Sequence, residues 1–124
     1  MIYLDTHVVA WLYAGDVAKL SSTAQHLINT HDLKICPIVQ LELAYLHEIG
    51  RLTETARNIV SDLYGRIGLE LCPHPFDQVI QAAIAMTWTP DPFDRIIVGQ
   101  ASVNNDVLVT KDTTIRQHYP NAHW

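Results

Sequence analysis

No apolar run in this 124-residue sequence approaches the roughly 20 residues that a membrane-spanning helix requires. The N-terminus also lacks a basic segment followed by a long apolar core, so it does not predict a secretory signal peptide. Together these absences predict a cytoplasmic protein. Because 48% of the residues are hydrophobic and 17% are charged, the composition argues against disorder and predicts a single globular domain over residues 1–124.

Cysteine is scarce, since Cys36 and Cys72 are the only two, and they are predicted to be reduced, half-buried thiols. A zinc site requires more soft ligands at close spacing, and the seven histidines are scattered without a His-Glu-x-x-His motif. The glycine-rich motifs of dinucleotide-binding and P-loop proteins are absent, as is the G-x-S-x-G motif of serine hydrolases. These chemistries are therefore disfavoured.

Basic residues are also few: eight Lys and Arg stand against thirteen Asp and Glu, which gives a net charge of −5. This balance argues against a protein whose whole surface attracts nucleic acid. It does not exclude nucleic acid as a substrate, because a local basic patch and a bound metal can reverse the sign of the charge near a site. Arg95 and Lys111 are the candidates for such a local charge.

The sequence does contain four acidic residues at places where a charge is costly. They follow an apolar run, lie in a predicted apolar helix stripe, or open a predicted helix: Asp5, Glu42, Asp94 and Asp112. Carboxylates near apolar walls need a cation, a proton or hydrogen bonds to neutralise them. If the fold brings the four together, the simplest neutralising partner is a hard divalent metal such as Mg²⁺ or Mn²⁺.

Short apolar runs alternate with helical patterns along the chain. Strands are predicted over residues 1–5, 33–36, 69–72, 106–110 and, at an edge, 122–124. Helices are predicted over residues 6–14, 21–31, 37–50, 53–67, 76–86, 92–103 and just after Asp112. This alternation predicts an α/β protein with a mostly parallel sheet of four to five strands, covered on both faces. Ligands bind beyond the carboxyl ends of such strands, where Asp5 and Asp112 are placed.

Position alone leaves two roles open for each of the aspartates. Asp5 and Asp112 could cap the helices that follow them, bind a ligand, or both. Asp91 is the clearest helix cap, since proline occupies the next position. Asp94 lies near the positive end of the same helix dipole, where it could serve as a stabilising charge or as a ligand.

Glu42 differs because no helix begins near it. At 3.6 residues per turn it shares a helix face with Ile38, Tyr45, Leu46 and Ile49. Two interpretations stay open: a ligand role in a shared acidic site, and a buried ion pair with Arg95.

Three tryptophans and five tyrosines are also present, and aromatic faces of this kind can stack on nucleobases. Trp11, Trp88 and Trp124 are the tryptophans. Taken singly, each aromatic residue more often packs in a core or at an interface. The sequence does not decide between these roles.

Four motifs, in order, resemble those of PIN-domain proteins and in particular of VapC-type toxins. They are Leu4-Asp5-Thr6-His7-Val8-Val9-Ala10-Trp11-Leu12, then Glu42-Leu43-Ala44-Tyr45-Leu46 with Gly50-Arg51-Leu52, then Asp91-Pro92-Phe93-Asp94-Arg95-Ile96-Ile97-Val98-Gly99-Gln100-Ala101, and Leu108-Val109-Thr110-Lys111-Asp112. The similarity spans essentially the whole chain. One departure is Thr89-Pro90, where many relatives carry His or Arg.

The resemblance implies a three-layer α/β/α sandwich and a Mg²⁺- or Mn²⁺-dependent endoribonuclease. It further implies an RNA substrate, a toxin role opposite a small antitoxin protein, and, by analogy, a homodimer. The family's catalytic, metal-binding quartet corresponds to Asp5, Glu42, Asp94 and Asp112. Thr6 and Thr110 match hydroxyls that commonly support the quartet. Independently of the resemblance, Asp91 as a helix cap and Arg95 as a charge near the phosphate are further supporting candidates.

Two other functions stay open at this point. A receiver-like phosphorylation switch would also gather carboxylates and a lysine around Mg²⁺, but it requires an acidic pair near the first strand, where this chain has only Asp5. A catalytically inactive nuclease-like module could bind RNA or protein, although the intact acidic quartet argues against this.

Overall fold

The computed structural model describes the whole chain, Met1–Trp124, as strands alternating with helices. The strands are β1 (Ile2–Leu4), β2 (Leu33–Ile35), β3 (Glu70–Leu71), β4 (Val107–Val109) and β5 (Ala122–His123). The helices are α1 (Thr6–Ala14), α2 (Ser22–Thr30), α3 (Ile38–Glu48), α4 (Ala56–Ile67), α5 (Phe76–Ile84), α6 (Pro92–Val103) and α7 (Thr113–His118). The predicted α/β/α class is confirmed, and the edge strand predicted near the C-terminus is present. A 3-10 turn at Val17–Lys19 was not predicted.

All five strands are parallel, in the order β3-β2-β1-β4-β5. The chain runs outward from β1 to β3 and then returns to place β4 on the other side of β1. Strand order therefore reverses between β1 and β4, which is where open parallel sheets form their ligand crevice. Tyr3 of β1 lies opposite Leu108 of β4, so the carboxyl ends of these strands meet at one edge of the sheet.

Local signals set most helix ends as predicted. Gly15 ends α1 in the left-handed conformation, with φ of 75°, and the Ser21 hydroxyl caps α2. The predicted cap Thr53 is wrong: Thr55 caps α4 instead, and its hydroxyl accepts from the backbone N–H of Asn58 at 3.2 Å. Three hydroxyl or acidic residues precede this helix, so the pattern alone did not distinguish them. None of the helices combines the length and apolarity needed to cross a bilayer.

The face of α3 that packs into the core is not the one that carries Glu42. Its buried residues are Val39 and Leu43, whereas Tyr45 and Ile49 are 47% and 48% exposed. Glu42 itself is half-buried, as are Ile38 and Leu46 on the same side of the helix, so the predicted apolar stripe lies at the margin of the core and not at its centre. Since α3 is apolar on nearly every side, its periodicity could not reveal which stripe faces the core.

Candidate active site

Asp5 lies directly after β1 and is 4% exposed. Its Oδ1 accepts from the backbone N–H of Thr6 at 2.7 Å, at the start of α1. Its Oδ2 accepts from the Thr110 hydroxyl, also at 2.7 Å. Asp5 therefore caps α1 with one oxygen and presents the other to the crevice between β1 and β4.

Thr110 joins the ends of these two strands. It is completely buried just beyond β4, and its Oγ1 accepts from the backbone N–H of Asp112 at 3.1 Å while donating to Asp5. The Asp112 carboxylate in turn accepts from the N–H of Ile115 at 2.9 Å and caps α7. One hydroxyl thus fixes the position of Asp5 relative to the turn that holds Asp112.

Glu42 reaches the same region from α3. Its Oε1 accepts a hydrogen bond from the Thr6 hydroxyl at 2.5 Å. Burial raises the pKa of Glu42, and the charges of Asp5 and Asp91 raise it further, while the Thr6 hydrogen bond lowers it. The contact places Glu42 beside Asp5, since Thr6 follows Asp5 in the chain.

The alternative ion pair between Glu42 and Arg95 is not formed. No salt bridge in the structure includes Glu42. The Arg95 Nε instead donates to the backbone carbonyl of Thr89 at 2.6 Å, so this side chain stabilises the loop before α6. Glu42 has no cationic side chain to neutralise it.

Asp91 and Asp94 stand at the start of α6. The Asp91 Oδ1 accepts from the N–H groups of Phe93 and Asp94 at 2.8 and 3.2 Å, which confirms its predicted role as a helix cap. Burial raises the pKa of Asp94 to about 7, with further contributions from Asp5, Asp91, Asp112 and Glu42 in that order. Such repulsion weakens with distance, so these contributions accord with an Asp94 side chain that faces the other acids from the start of α6.

The donor set fits a hard divalent cation in its chemistry. It consists of carboxylate oxygens without a paired Lys or Arg, and burial together with the other acids raises the pKa of Asp94 to about 7. As the side chains stand, however, no three His, Cys, Asp or Glu groups are arranged to hold a metal ion. Hydroxyl groups separate the acids here: Thr110 bonds Asp5, and Thr6 bonds Glu42.

Comparison with known proteins over nearly the whole chain identifies the family of the protein. The family model described as "PIN domain" matches residues 2–119. The chain belongs to the PIN-domain family. A curated relative, "Ribonuclease VapC22" of Mycobacterium tuberculosis, is 30% identical over 125 residues, covering 94% of this chain and 91% of the relative. This assignment is incompatible with a receiver-like phosphorylation switch.

Solved structures share the same PIN-domain fold. VapBC2 from Rickettsia felis, bound to a DNA fragment from its promoter, matches with a TM-score of 0.70 and 18% identity over 100% of this chain and 99% of that one. A toxin–antitoxin complex from Klebsiella pneumoniae matches with a TM-score of 0.71 and 16% identity over 100% and 97%. At these identities the likeness concerns the fold.

His7 is a residue of this PIN-domain site that sequence reasoning missed. Its Nδ1 lies 3.5 Å from the Asp5 Oδ2, and its Nε2 accepts from the backbone N–H of Lys111 at 3.0 Å. Because Nε2 is an acceptor, the neutral ring carries its hydrogen on Nδ1, which points toward Asp5. The available signal was its place in the first turn of α1, two residues after Asp5.

Replacing Thr110 with Val is expected to destabilise this PIN-domain protein by about 1–3 kcal/mol, because the buried Asp5 Oδ2 loses its hydroxyl donor. The Thr110→Ser variant keeps the hydroxyl and should retain most of the stability. Urea unfolding of the two variants measures the difference. Equal stability of the Val and Ser variants would contradict a role for this hydrogen bond.

Proposed function

We propose that this PIN-domain chain is a divalent-metal-dependent endoribonuclease that acts in the cytoplasm as the toxin of a toxin–antitoxin pair. The observation that carries the proposal is the set of hydrogen bonds through which Thr6 links Glu42 to the start of α1 beside Asp5, and Thr110 links Asp5 to the turn at Asp112. Asp94 opens α6, its pKa is raised by burial and by these acids, and no Lys or Arg pairs with any of the four. The ribonuclease relative supports RNA as the substrate, because the similarity covers nearly the whole of both chains.

In the proposed enzyme these four carboxylates hold Mg²⁺ or Mn²⁺, which supplies Lewis acidity toward a phosphate oxygen and an attacking water. The side chains around them position the ligands. Thr110 orients Asp5 from the end of β4, and Thr6 orients Glu42 from the start of α1. Arg95 holds the loop before α6, and thereby the turn that places Asp94, through its bond to the Thr89 carbonyl.

The proposed protein partners are a small antitoxin and a second copy of this chain. The solved relatives that share the fold are toxin–antitoxin complexes, which supports the antitoxin. Several large apolar side chains on α3, at its C-cap and on α5 are exposed: Leu41, Tyr45, Ile49, Phe76 and Ile84. They offer the apolar area that a protein partner buries.

Incubation of the purified protein with a structured RNA tests the enzymatic proposal. We expect cleavage with Mn²⁺ or Mg²⁺ and a loss to background when EDTA is added, because the carboxylates alone supply neither an electrophile nor an activated water. Restoring excess Mn²⁺ after EDTA should restore cleavage. Intact RNA in the presence of Mn²⁺ together with measurable RNA binding would favour the inactive binding module instead.

A further inference from the structure

Three aromatic rings cluster beside the acidic site at the β5 edge of the sheet. The His7 and Trp11 ring centroids are 4.9 Å apart, those of Trp11 and Trp124 are 6.0 Å apart, and those of His7 and Trp124 are 6.4 Å apart. All three side chains are half-buried, so part of the group is open to solvent. We call these three residues the aromatic platform.

The aromatic platform is physically joined to the acidic cluster. His7 contacts Asp5 through Nδ1 and is bonded through Nε2 to the backbone of Lys111. Lys111 stands between Thr110, which bonds Asp5, and Asp112. A chain of contacts therefore runs from the catalytic carboxylates to the tryptophans without a gap.

Two cations also lie against this platform. The ammonium groups of Lys19 and Lys111 are 5.7 and 5.8 Å from the centre of the Trp11 ring. Lys19 pairs with Asp16 at 3.4 Å, whereas Lys111 forms no ion pair. Trp11 also packs against the core, but this packing does not require the two ammonium groups that lie over its ring. Two of the eight basic residues of a chain with net charge −5 thus converge on one aromatic ring.

We propose that the aromatic platform, with Lys111 at its edge, holds a nucleobase of single-stranded RNA beside the scissile phosphate. The inference rests on the proposed ribonuclease function and adds a substrate subsite to it. Bases stack on aromatic faces regardless of sequence, and lysines track the phosphates between them. Duplex bases are stacked on one another, so only an unpaired nucleotide offers a free face to Trp11.

The platform is tested by measuring how the Asp94→Asn variant binds a fluorescently labelled single-stranded RNA. This substitution removes one of the proposed metal ligands, which blocks cleavage, and it leaves the His7–Asp5 contact in place. Adding Trp11→Leu should raise the Kd roughly 5- to 100-fold, the effect of losing one stacked base. Trp11→Phe retains a ring and should recover much of the affinity. The matched control is Tyr64→Leu, an aromatic residue 62% exposed near β3 at the opposite edge of the sheet, which should leave the Kd unchanged.

The salt dependence of RNA binding distinguishes a stacking contact from a contact between a lysine and a phosphate. Trp11→Leu should leave the slope of log Kd against log salt unchanged, whereas Lys111→Gln should reduce it by about 0.7, the value for one phosphate contact on a single strand. An unchanged Kd in folded Trp11→Leu protein, or an equal loss in the Tyr64→Leu control, would overturn the platform. Cleavage by the chain with Asp94 intact is measured in parallel. Absence of cleavage counts against the nuclease, whereas cleavage with unchanged binding by the Trp11 variant counts against the platform alone.

Discussion

Replacing Asp5 with Asn is expected to abolish RNA cleavage, with a loss on the order of 10³-fold. The Asp5 carboxylate sits at the junction of β1, α1 and β4, and it is the acid with the least exposure to solvent among the four. Asn removes the negative charge that a divalent cation requires. Asn also keeps only one acceptor oxygen. Because the Thr6 N–H and the Thr110 hydroxyl both donate to the Asp5 side chain, one of these two hydrogen bonds is lost.

The fold should survive this substitution. One repulsive charge disappears from a cluster in which the carboxylates already raise the pKa of Asp94, and this offsets part of the lost hydrogen bonding. The matched control is Asp77→Asn, which makes the same change of charge at an exposed position in the first turn of α5. Cleavage within a few-fold of wild type by the Asp5 variant would exclude Asp5 from the active site.

In the absence of metal, Asp94→Asn is expected to stabilise the protein at pH 8 and to have little effect at pH 4. Asp94 has a pKa of about 7 in the folded state, against an ordinary value of 3.8. As pH rises from about 4 to 7, the unfolded chain releases this proton while the folded chain retains it. Folding is therefore progressively disfavoured over this range, and the full penalty applies above pH 7.

Asn cannot ionise, so it avoids this penalty. The expected gain at pH 8 is about 1–4 kcal/mol, the lower values reflecting the partial solvent access of Asp94. Urea unfolding in EDTA at several pH values measures it, and Asp77→Asn again provides the control for a simple change in net charge. Destabilisation of the Asp94 variant at pH 8 would contradict the raised pKa of Asp94.

Added Mg²⁺ or Mn²⁺ should reverse the order of the two proteins at pH 8. A cation that binds the ionised cluster stabilises the wild-type fold by mass action, whereas the Asp94 variant lacks one of the carboxylates that bind it. Thermal unfolding with and without the metal gives a readout of binding that does not depend on RNA. No rise in the Tm of the wild type with either cation would count against the metal proposal.

Helix ends and strand ends could be predicted where a capping residue, a glycine or an apolar run marks them in the sequence. Gly15 ends α1 because its left-handed backbone suits glycine, and the Ser21 hydroxyl caps α2 through an amide three residues away. Asp5 and Asp112 could be placed at strand ends because apolar runs precede both. The physical causes act within one helical turn or one strand, so the neighbouring residues contain the information.

The sequence did not predict those features that depend on which helices and strands pack together. The helix α3 is apolar on most sides, so only its contacts with the rest of the fold decide that Val39 and Leu43 face the core. Glu42 bonds Thr6, and Arg95 turns to the Thr89 carbonyl instead of to Glu42. These contacts depend on how α1, α3 and α6 are placed relative to one another, and no local sequence pattern indicates that placement.

By itself, the sequence determined the PIN-like order of motifs and the candidate carboxylates at strand and helix ends. Only the tertiary structure decided that Thr110 bonds Asp5 across 105 residues of chain and that burial and the other acids raise the pKa of Asp94. It alone also placed His7 between Asp5 and Trp11. The physical reason is that hydrogen bonds and charge repulsion depend on distance through space, which the parallel sheet sets and the order of residues does not.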